Sequence, residues 1–141
     1  MLSYLAAYGA TLLVMLALDV LWLGFIAKSL YRDGIGHLMA DPPNLLAGGV
    51  FYLLYPVGIM IFAVVPAALY GTLAAPAEVS LSRAILAGAL FGFFAYATYD
   101  LSNLATLRDW PLRLVLVDIA WGTALTAAAA AAGRWALGRV A

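Results

Sequence analysis

The sequence has no cysteine and a single histidine, His37. The lack of cysteine excludes disulfide bonds, thiol catalysis and thiolate metal sites, and one histidine excludes a metal site with several histidine ligands from one chain. Charge is also scarce, since 10% of the 141 residues are charged, against about 25% in soluble globular domains. Seven basic and seven acidic residues cancel, so net charge favours no nucleic-acid partner.

Apolar residues dominate instead: 67% of the chain is hydrophobic and the mean hydropathy is +1.03. A helix needs about 20 predominantly apolar residues to cross the hydrocarbon core of a bilayer, and four windows reach that length. We therefore predict an all-α integral membrane protein, with a single domain over residues 1–141 and four transmembrane helices in an up-down antiparallel bundle. The predicted spans are residues 4–26, 45–70, 84–107 and 114–133.

The segments between the spans are short, apart from residues 28–44, whose glycines and proline pair predict a loop with at most an interfacial turn. Pro56 is expected to kink the second span, and Pro66 is expected to end or bend it. Residues 71–80 form a short connection, and residues 108–111 form a tight turn. Four basic residues flank the side of the first and third loops and three flank the other side, which slightly favours the first and third loops as the cytoplasmic ones.

Three aspartates fall inside the predicted spans: Asp19, Asp100 and Asp118. Counted from the flanking basic residues, they lie about 14, 12 and 8 Å from the same membrane face. A carboxylate facing lipid costs about 2.5–3.5 kcal/mol, so we expect all three to face the bundle interior. No lysine or arginine lies within a span. Three states stay open: the acids are protonated, they accept hydrogen bonds from hydroxyl, amide and indole groups, or they bind a cation.

Most other polar and aromatic side chains of the spans fall in the same half of the bilayer, and the opposite half is nearly featureless. A stripe of small residues, with Gly88 and Gly92 four positions apart, leads to Asp100 on the third helix. We predict a one-sided pocket of carboxylates and aromatic rings. Its candidate ligand-binding or proton-relay residues are Asp19, Trp22, Tyr52, Tyr55, Tyr96, Tyr99, Asp100, Asn103, Asp118 and Trp121.

A four-residue pattern occurs twice, as Asp19-Val20-Leu21-Trp22 in the first span and as Asp118-Ile119-Ala120-Trp121 in the fourth. Because these two helices are predicted to run in opposite directions, the tryptophan points toward opposite membrane faces in the two copies. The repeat suggests pseudo-symmetry between the two helices.

Structural roles compete with a pocket for several residues. A buried aspartate fixes helix register when it hydrogen-bonds a neighbouring helix, and Tyr31 and Trp110 fit an interfacial belt or a turn anchor. His37 fits a solvated loop position, and the alternative is a role as acid, base or ligand. The Gly88-x-x-x-Gly92 motif suits packing inside the bundle and dimerisation equally well.

Five segments carry a resemblance: Asp19-x-x-Trp22, the run from Phe51 to Pro56, the run from Tyr96 to Thr106, Trp110-Pro111, and Asp118-x-x-Trp121-Gly122. With these segments, nearly the whole chain resembles a family of small bacterial four-span membrane proteins of unknown function, with a Tyr-Asp-Leu-Ser/Thr-Asn motif in the third span. The resemblance implies a multi-pass protein of the bacterial inner membrane, and it implies that the family pattern includes Tyr31, Ile35, Gly36 and His37. It supplies no activity, and any cofactor stays unknown.

Three classes of function stay open. The pocket binds a small or lipid-like ligand or a cation, or acts on such a substrate, with Asp19, Asp100 and Asp118 as acid, base or ligands of magnesium or calcium. The second class is proton-coupled transport of a small molecule or cation, and the third is an accessory subunit of a larger membrane complex. One-sided polarity favours the pocket, because transport needs a path through both leaflets. The predicted partners are the lipid bilayer and, left open, a second copy or a larger complex.

Overall fold

The computed structural model describes residues 1–65 and 80–140, which contain helices and no strand. They form five α-helices: α1 (Leu2–Leu21), α2 (Lys28–Ile35), α3 (Leu45–Ile59), α4 (Leu81–Thr106) and α5 (Leu112–Val140). A π-helical segment continues α1 over Trp22–Ile26, and another continues α3 over Met60–Val64.

Within the described residues, four helices are long and apolar enough to cross a membrane: Leu2–Ile26, Leu45–Val64, Leu81–Thr106 and Leu112–Val140. The all-α prediction with four spanning helices is therefore confirmed. The predicted end of the second span at residue 70, the bend at Pro66 and the connection of residues 71–80 fall mostly or wholly on residues 66–79, which lie outside the described residues.

The helices α4 and α5 pack closely because glycines line their contact. A methyl group on Gly88 would come within 2.6 Å of the Cβ of Ala130, and one on Gly92 would overlap the backbone at Gly122. Gly122 in turn leaves room for the ring of Tyr96. Residue numbers rise along α4 as they fall along α5, so the two helices are antiparallel. The Gly88-x-x-x-Gly92 motif thus serves packing inside the bundle, which is one of the two roles considered for it.

The half of the bundle opposite the three aspartates is a packed apolar core. Met15 of α1, Val64 after α3, and Leu125 and Ala129 of α5 are buried there almost completely. Gly133 lets α5 approach α1, because a methyl group at that position would overlap the neighbouring helix. In lipid such close van der Waals packing holds helices together, so this half is closed and the polar half is where space remains.

The segment of residues 28–44 differs from the prediction, because its first part is helical. Lys28–Ile35 forms α2, which folds back over the end of the bundle and carries Tyr31 toward α5. Gly34 favours a turn in the sequence, but in the structure it lies within α2 and lets this helix approach Pro111. A methyl group on Gly34 would lie 3.1 Å from the ring of Pro111. Tertiary packing therefore outweighs the low helix propensity of glycine.

Pro56 lies inside α3, and the helix continues past it to Ile59. Proline lacks the N–H that would bond the carbonyl one turn earlier. Shortly after Pro56 the backbone changes to the π-helical segment Met60–Val64. This segment packs against α4 and α5, so α3 contacts the rest of the bundle chiefly through its last turns. The first half of α3 stands away from α4.

Candidate functional site

A cavity of about 620 Å³ lies in the polar half of the bundle, between α1, α3, α4 and α5, with α2 at its edge. Pockets for small molecules have volumes of about 300–1,000 Å³. Most of the predicted site residues line it: Asp19, Trp22, Tyr52, Tyr55, Tyr96, Tyr99, Asp118 and Trp121. The lining is completed by residues that were not predicted to face a pocket: Leu23, Tyr31, Ile35, Phe51 and Ala95.

Asp19 joins three helices through two hydrogen bonds. The hydroxyl of Tyr52 on α3 donates to one carboxyl oxygen of Asp19 at 3.1 Å, and the indole N–H of Trp121 on α5 donates to the other oxygen at 3.2 Å. The side chain of Asp19 is only 4% exposed. Both donors are neutral groups, so they satisfy the carboxyl oxygens without cancelling a negative charge.

Asp118 is held by Tyr31, which corrects the prediction of Tyr31 as an interfacial residue. The Tyr31 hydroxyl donates to Asp118, and it accepts a hydrogen bond from the indole N–H of Trp22 at 3.3 Å. Burial and the neighbouring carboxyl raise the pKa of Tyr31 above its usual range, so Tyr31 stays a protonated donor. The sequence signal that indicates this role is the spacing of Tyr31 and Ile35, which one turn of α2 brings to the same face.

The two tryptophans of the predicted site form one wall of the cavity. Their ring centroids are 4.2 Å apart, and the planes of Trp22 and Trp121 differ by 3°. Each ring also donates its N–H, one to Tyr31 and the other to Asp19. The stack therefore fixes the two indole N–H groups, one of which binds Asp19 directly while the other holds Tyr31, the donor to Asp118.

Tyrosines of α3 and α4 form the facing wall. The hydroxyl oxygens of Tyr55 and Thr126 are 2.9 Å apart and share a hydrogen bond, and the rings of Tyr55 and Tyr96 meet edge to face at 6.4 Å. Tyr99 also lines the cavity but is 54% exposed, and its ring meets Trp110 edge to face at 5.9 Å. Tyr99 is therefore a residue of the rim.

Asp100 lies behind the cavity wall instead of on its surface. Its side chain is fully buried, and neither carboxyl oxygen has a hydrogen-bond partner among the described residues. Because Tyr96 of α4 packs on Gly122 of the antiparallel α5, one helical turn further Asp100 lies opposite Asp118, which does line the cavity. Two acids from antiparallel helices thus face each other, one accessible from the cavity and one enclosed.

Trp110 completes the surroundings of Asp100, which corrects the prediction of Trp110 as an interfacial anchor. It is only 8% exposed, because it packs with Leu114 and Val115 at the start of α5. Its indole N–H is buried near Asp100, yet the two groups form no hydrogen bond. The carboxyl of Asp100 and the indole N–H of Trp110, both without a hydrogen-bond partner in the described part of the chain, therefore lie side by side.

Asn103 and His37, two further candidates, lie away from the cavity. Asn103 of α4 is not among the residues that line the cavity. His37 is exposed in the 3₁₀ turn Gly36–Leu38 that follows α2. In the part of the chain that the structure describes, no three acidic or histidine side chains gather as metal ligands.

Comparison with known proteins places this arrangement in a family. The model of a family described as predicted membrane protein (DUF2177) matches residues 4–135. No curated protein and no solved structure matches the chain. The match confirms the resemblance to a membrane-protein family of unknown function, and together with the four apolar helices it shows a multi-pass membrane protein.

Proposed function

This chain belongs to the DUF2177 family of predicted membrane proteins, and we propose that it binds a small or lipid-like molecule with a positively charged end in the cavity between its helices. The observation that carries the proposal is the composition of the cavity wall. The carboxyls of Asp19 and Asp118 lie among tyrosine and tryptophan rings, and no lining residue is a lysine or arginine. Such a wall presents negative charge with no cation of the chain to balance it.

An organic ammonium group fits this wall better than a metal ion does. Aromatic faces attract cations by about 0.5–2 kcal/mol, and aromatic boxes are a common way to bind alkylated ammonium groups. Calcium prefers six to eight oxygen ligands, whereas the described residues gather no three-ligand group. Because Tyr52 and Trp121 already hold Asp19 in place, its charge is available without reorganisation of the site.

The apolar part of the cavity supports a ligand with a hydrocarbon portion. Leu23 after α1 and Phe51 on α3 line the cavity and are also 46% and 41% exposed on the outer surface of the bundle. That surface faces lipid in a four-span protein. The first half of α3 packs little against α4. A ligand would therefore enter the cavity sideways from the bilayer, between α3 and α4.

The closed half of the bundle favours binding over transport. A transported molecule would have to pass the core around Met15, Val64 and Leu125, which are almost completely buried. Proton-coupled transport therefore requires a second conformation in which this core opens. A role as an accessory subunit, association with a second copy or a larger complex, and a location in the bacterial inner membrane all stay predictions.

The test compares three probes with the same alkyl chain: octyltrimethylammonium, octyl glucoside and octyl sulfate. Each is titrated into the protein in lipid nanodiscs and followed by calorimetry. We expect the cation to bind and the neutral and anionic probes not to bind. Replacing Asp19→Asn should weaken binding of the cation about ten- to a hundredfold, as expected for a charge-assisted contact.

The matched control is Asp33→Asn, which removes one exposed negative charge on α2 outside the cavity lining. It should bind the cation as the unmodified protein does. Equal binding of all three probes, or equal weakening by the two substitutions, would contradict the proposal.

A further inference from the structure

The least expected feature of the bundle is the enclosed carboxyl of Asp100. It is fully buried and neither oxygen has a hydrogen-bond partner among the described residues. An ionised carboxylate without partners in an apolar interior is very unfavourable. Its neighbour Asp118 is also buried. Two carboxylates that face each other in such a place do not both ionise, and acid pairs of this kind hold one proton between them.

From this geometry we propose that Asp100 and Asp118 hold one shared proton when the cavity is empty, and that a cation binding beside Asp118 displaces this proton to water. The inference rests on the proposed function, because it requires a cationic ligand in the cavity. It adds a second binding site, for a proton, and makes the two sites competitive.

The placement of the two acids explains how the exchange works. Asp118 lines the cavity, whereas Asp100 lies behind it. A cation therefore meets Asp118 first, and the loss of the O–H bond leaves two carboxylates beside one positive ligand. The pair carries one negative charge before the exchange. With the cation included it carries one negative charge afterwards, so the exchange adds no net charge to the membrane interior.

Among the residues that the structure describes, the groups around the pair come from each neighbouring element, and none of them is basic. On α2, Tyr31 donates to Asp118, and in the connection between α4 and α5, Trp110 lies beside Asp100. Across the cavity on α1, Asp19 is a further carboxyl group. On α4 the neutral phenols are Tyr96 and Tyr99, and on α3 Tyr52 and Tyr55 are neighbours of Asp19. The proton or the ligand is thus the positive charge available to the pair.

The first measurement needs no ligand. Infrared spectroscopy of the protein in nanodiscs should show the carbonyl stretching band of a protonated carboxylic acid at neutral pH. The band should disappear in Asp100→Asn and in Asp118→Asn, and it should persist in the exposed control Asp33→Asn. Asparagine has nearly the volume of aspartate, and thermal unfolding checks that both variants fold. Absence of the band in the unmodified protein overturns the shared proton, whatever the protein binds.

The second measurement tests the exchange. Octyltrimethylammonium is titrated into the protein in two buffers with different heats of ionisation, and the difference gives the protons released. We expect about one proton released per bound cation for the unmodified protein and for the exposed control Asp33→Asn, and none per bound cation for Asp100→Asn, which has no acid pair to hold a proton. Binding without proton release overturns the exchange but leaves the proposed function intact. An infrared band without binding of the cation contradicts the proposed function but leaves the acid pair intact.

Discussion

Trp121 of α5 donates its indole N–H to Asp19 of α1 at 3.2 Å, so one copy of the repeated Asp-x-x-Trp pattern binds the other. The reciprocal link runs through one intermediary: Trp22 donates to Tyr31, and Tyr31 donates to Asp118. Because α1 and α5 are antiparallel, each aspartate lies level with the tryptophan of the other copy. The repeat seen in the sequence therefore corresponds to a clasp between two helices, closed by a stack of two indoles.

The clasp predicts that the indole N–H of Trp121 stabilises the bundle. Trp121→Phe keeps an aromatic ring for the stack but leaves one oxygen of Asp19 without its donor. We expect a loss of about 1–3 kcal/mol in the free energy of unfolding, the cost of an unpaired buried polar group. Thermal unfolding followed by circular dichroism in detergent measures it. Trp135→Phe, at a position that is 59% exposed, is the control, and an equal loss in both variants would show that the N–H is unimportant.

The glycine contact between α4 and α5 predicts a sharp difference between two glycines of the same helix. In Gly122→Ala the new methyl group would overlap the ring of Tyr96, and the expected loss of stability is about 1–3 kcal/mol. In Gly138→Ala the methyl group meets nothing within 4 Å, so a gain of up to about 1 kcal/mol is expected from helix propensity. Unfolding midpoints in the same detergent decide it. Similar midpoints for the two variants would rule out close packing at Gly122.

The raised pKa of Tyr31 predicts a specific alkaline behaviour. A group whose pKa is raised by folding contributes stability below its unfolded pKa, about 10 for tyrosine, and that contribution is lost as pH rises through the folded value. Above pH of about 10 the unmodified protein should therefore lose more stability than Tyr31→Phe. Ultraviolet absorbance of tyrosinate provides a second measurement. The unmodified protein and Tyr31→Phe should form the same amount of tyrosinate near pH of about 10, because Tyr31 stays protonated there.

The exposed Tyr4→Phe serves as the control for this titration, since Tyr4 is 43% exposed at the start of α1. If Tyr31 titrates near pH of about 10, as a free tyrosine does, then α2 does not cover the end of the bundle in solution.

The two buried acids Asp19 and Asp100 should respond differently to the same substitution. Asp19→Asn replaces one acceptor oxygen by an amino group that cannot accept from Trp121 or Tyr52, so one donor is left unpaired at a cost of about 1–3 kcal/mol. In Asp100→Asn the new amide group can donate to Asp118 in place of the proposed shared proton, and no other hydrogen bond of Asp100 is present among the described residues, so the unfolding midpoint should stay the same or rise. A larger loss at Asp100 than at Asp19 would show that Asp100 has structural partners.

Much of the fold and most of the cavity lining follow from the sequence, because membrane depth restricts both. Apolar length defines the spans, and the depth of Asp19, Asp118 and their aromatic neighbours is readable by counting from flanking basic residues. Residues at the same depth on the inner sides of four helices must lie close together. This is why Tyr52 and Trp121 could be grouped with Asp19 before their hydrogen bonds were known.

The parts that could not be predicted depend on packing between segments far apart in sequence. Tyr31 and Trp110 have the composition of interfacial residues, and only the fold-back of α2 and the packing at the start of α5 bury them. Depth counting also placed Asp100 level with Asp19, but depth says nothing about rotation of α4. That rotation is set by the contact of Gly92 and Gly122, and it turns Asp100 toward Asp118 behind the cavity.

The indole stack of Trp22 and Trp121 has an optical consequence. Two identical chromophores stacked 4.2 Å apart with nearly parallel planes couple their excited states, so their near-ultraviolet spectrum differs from that of two isolated tryptophans. A molecule that enters the cavity and separates the rings removes this excitonic coupling. The protein thus carries its own spectroscopic reporter at the wall of the site, and occupancy can be monitored without attaching a label.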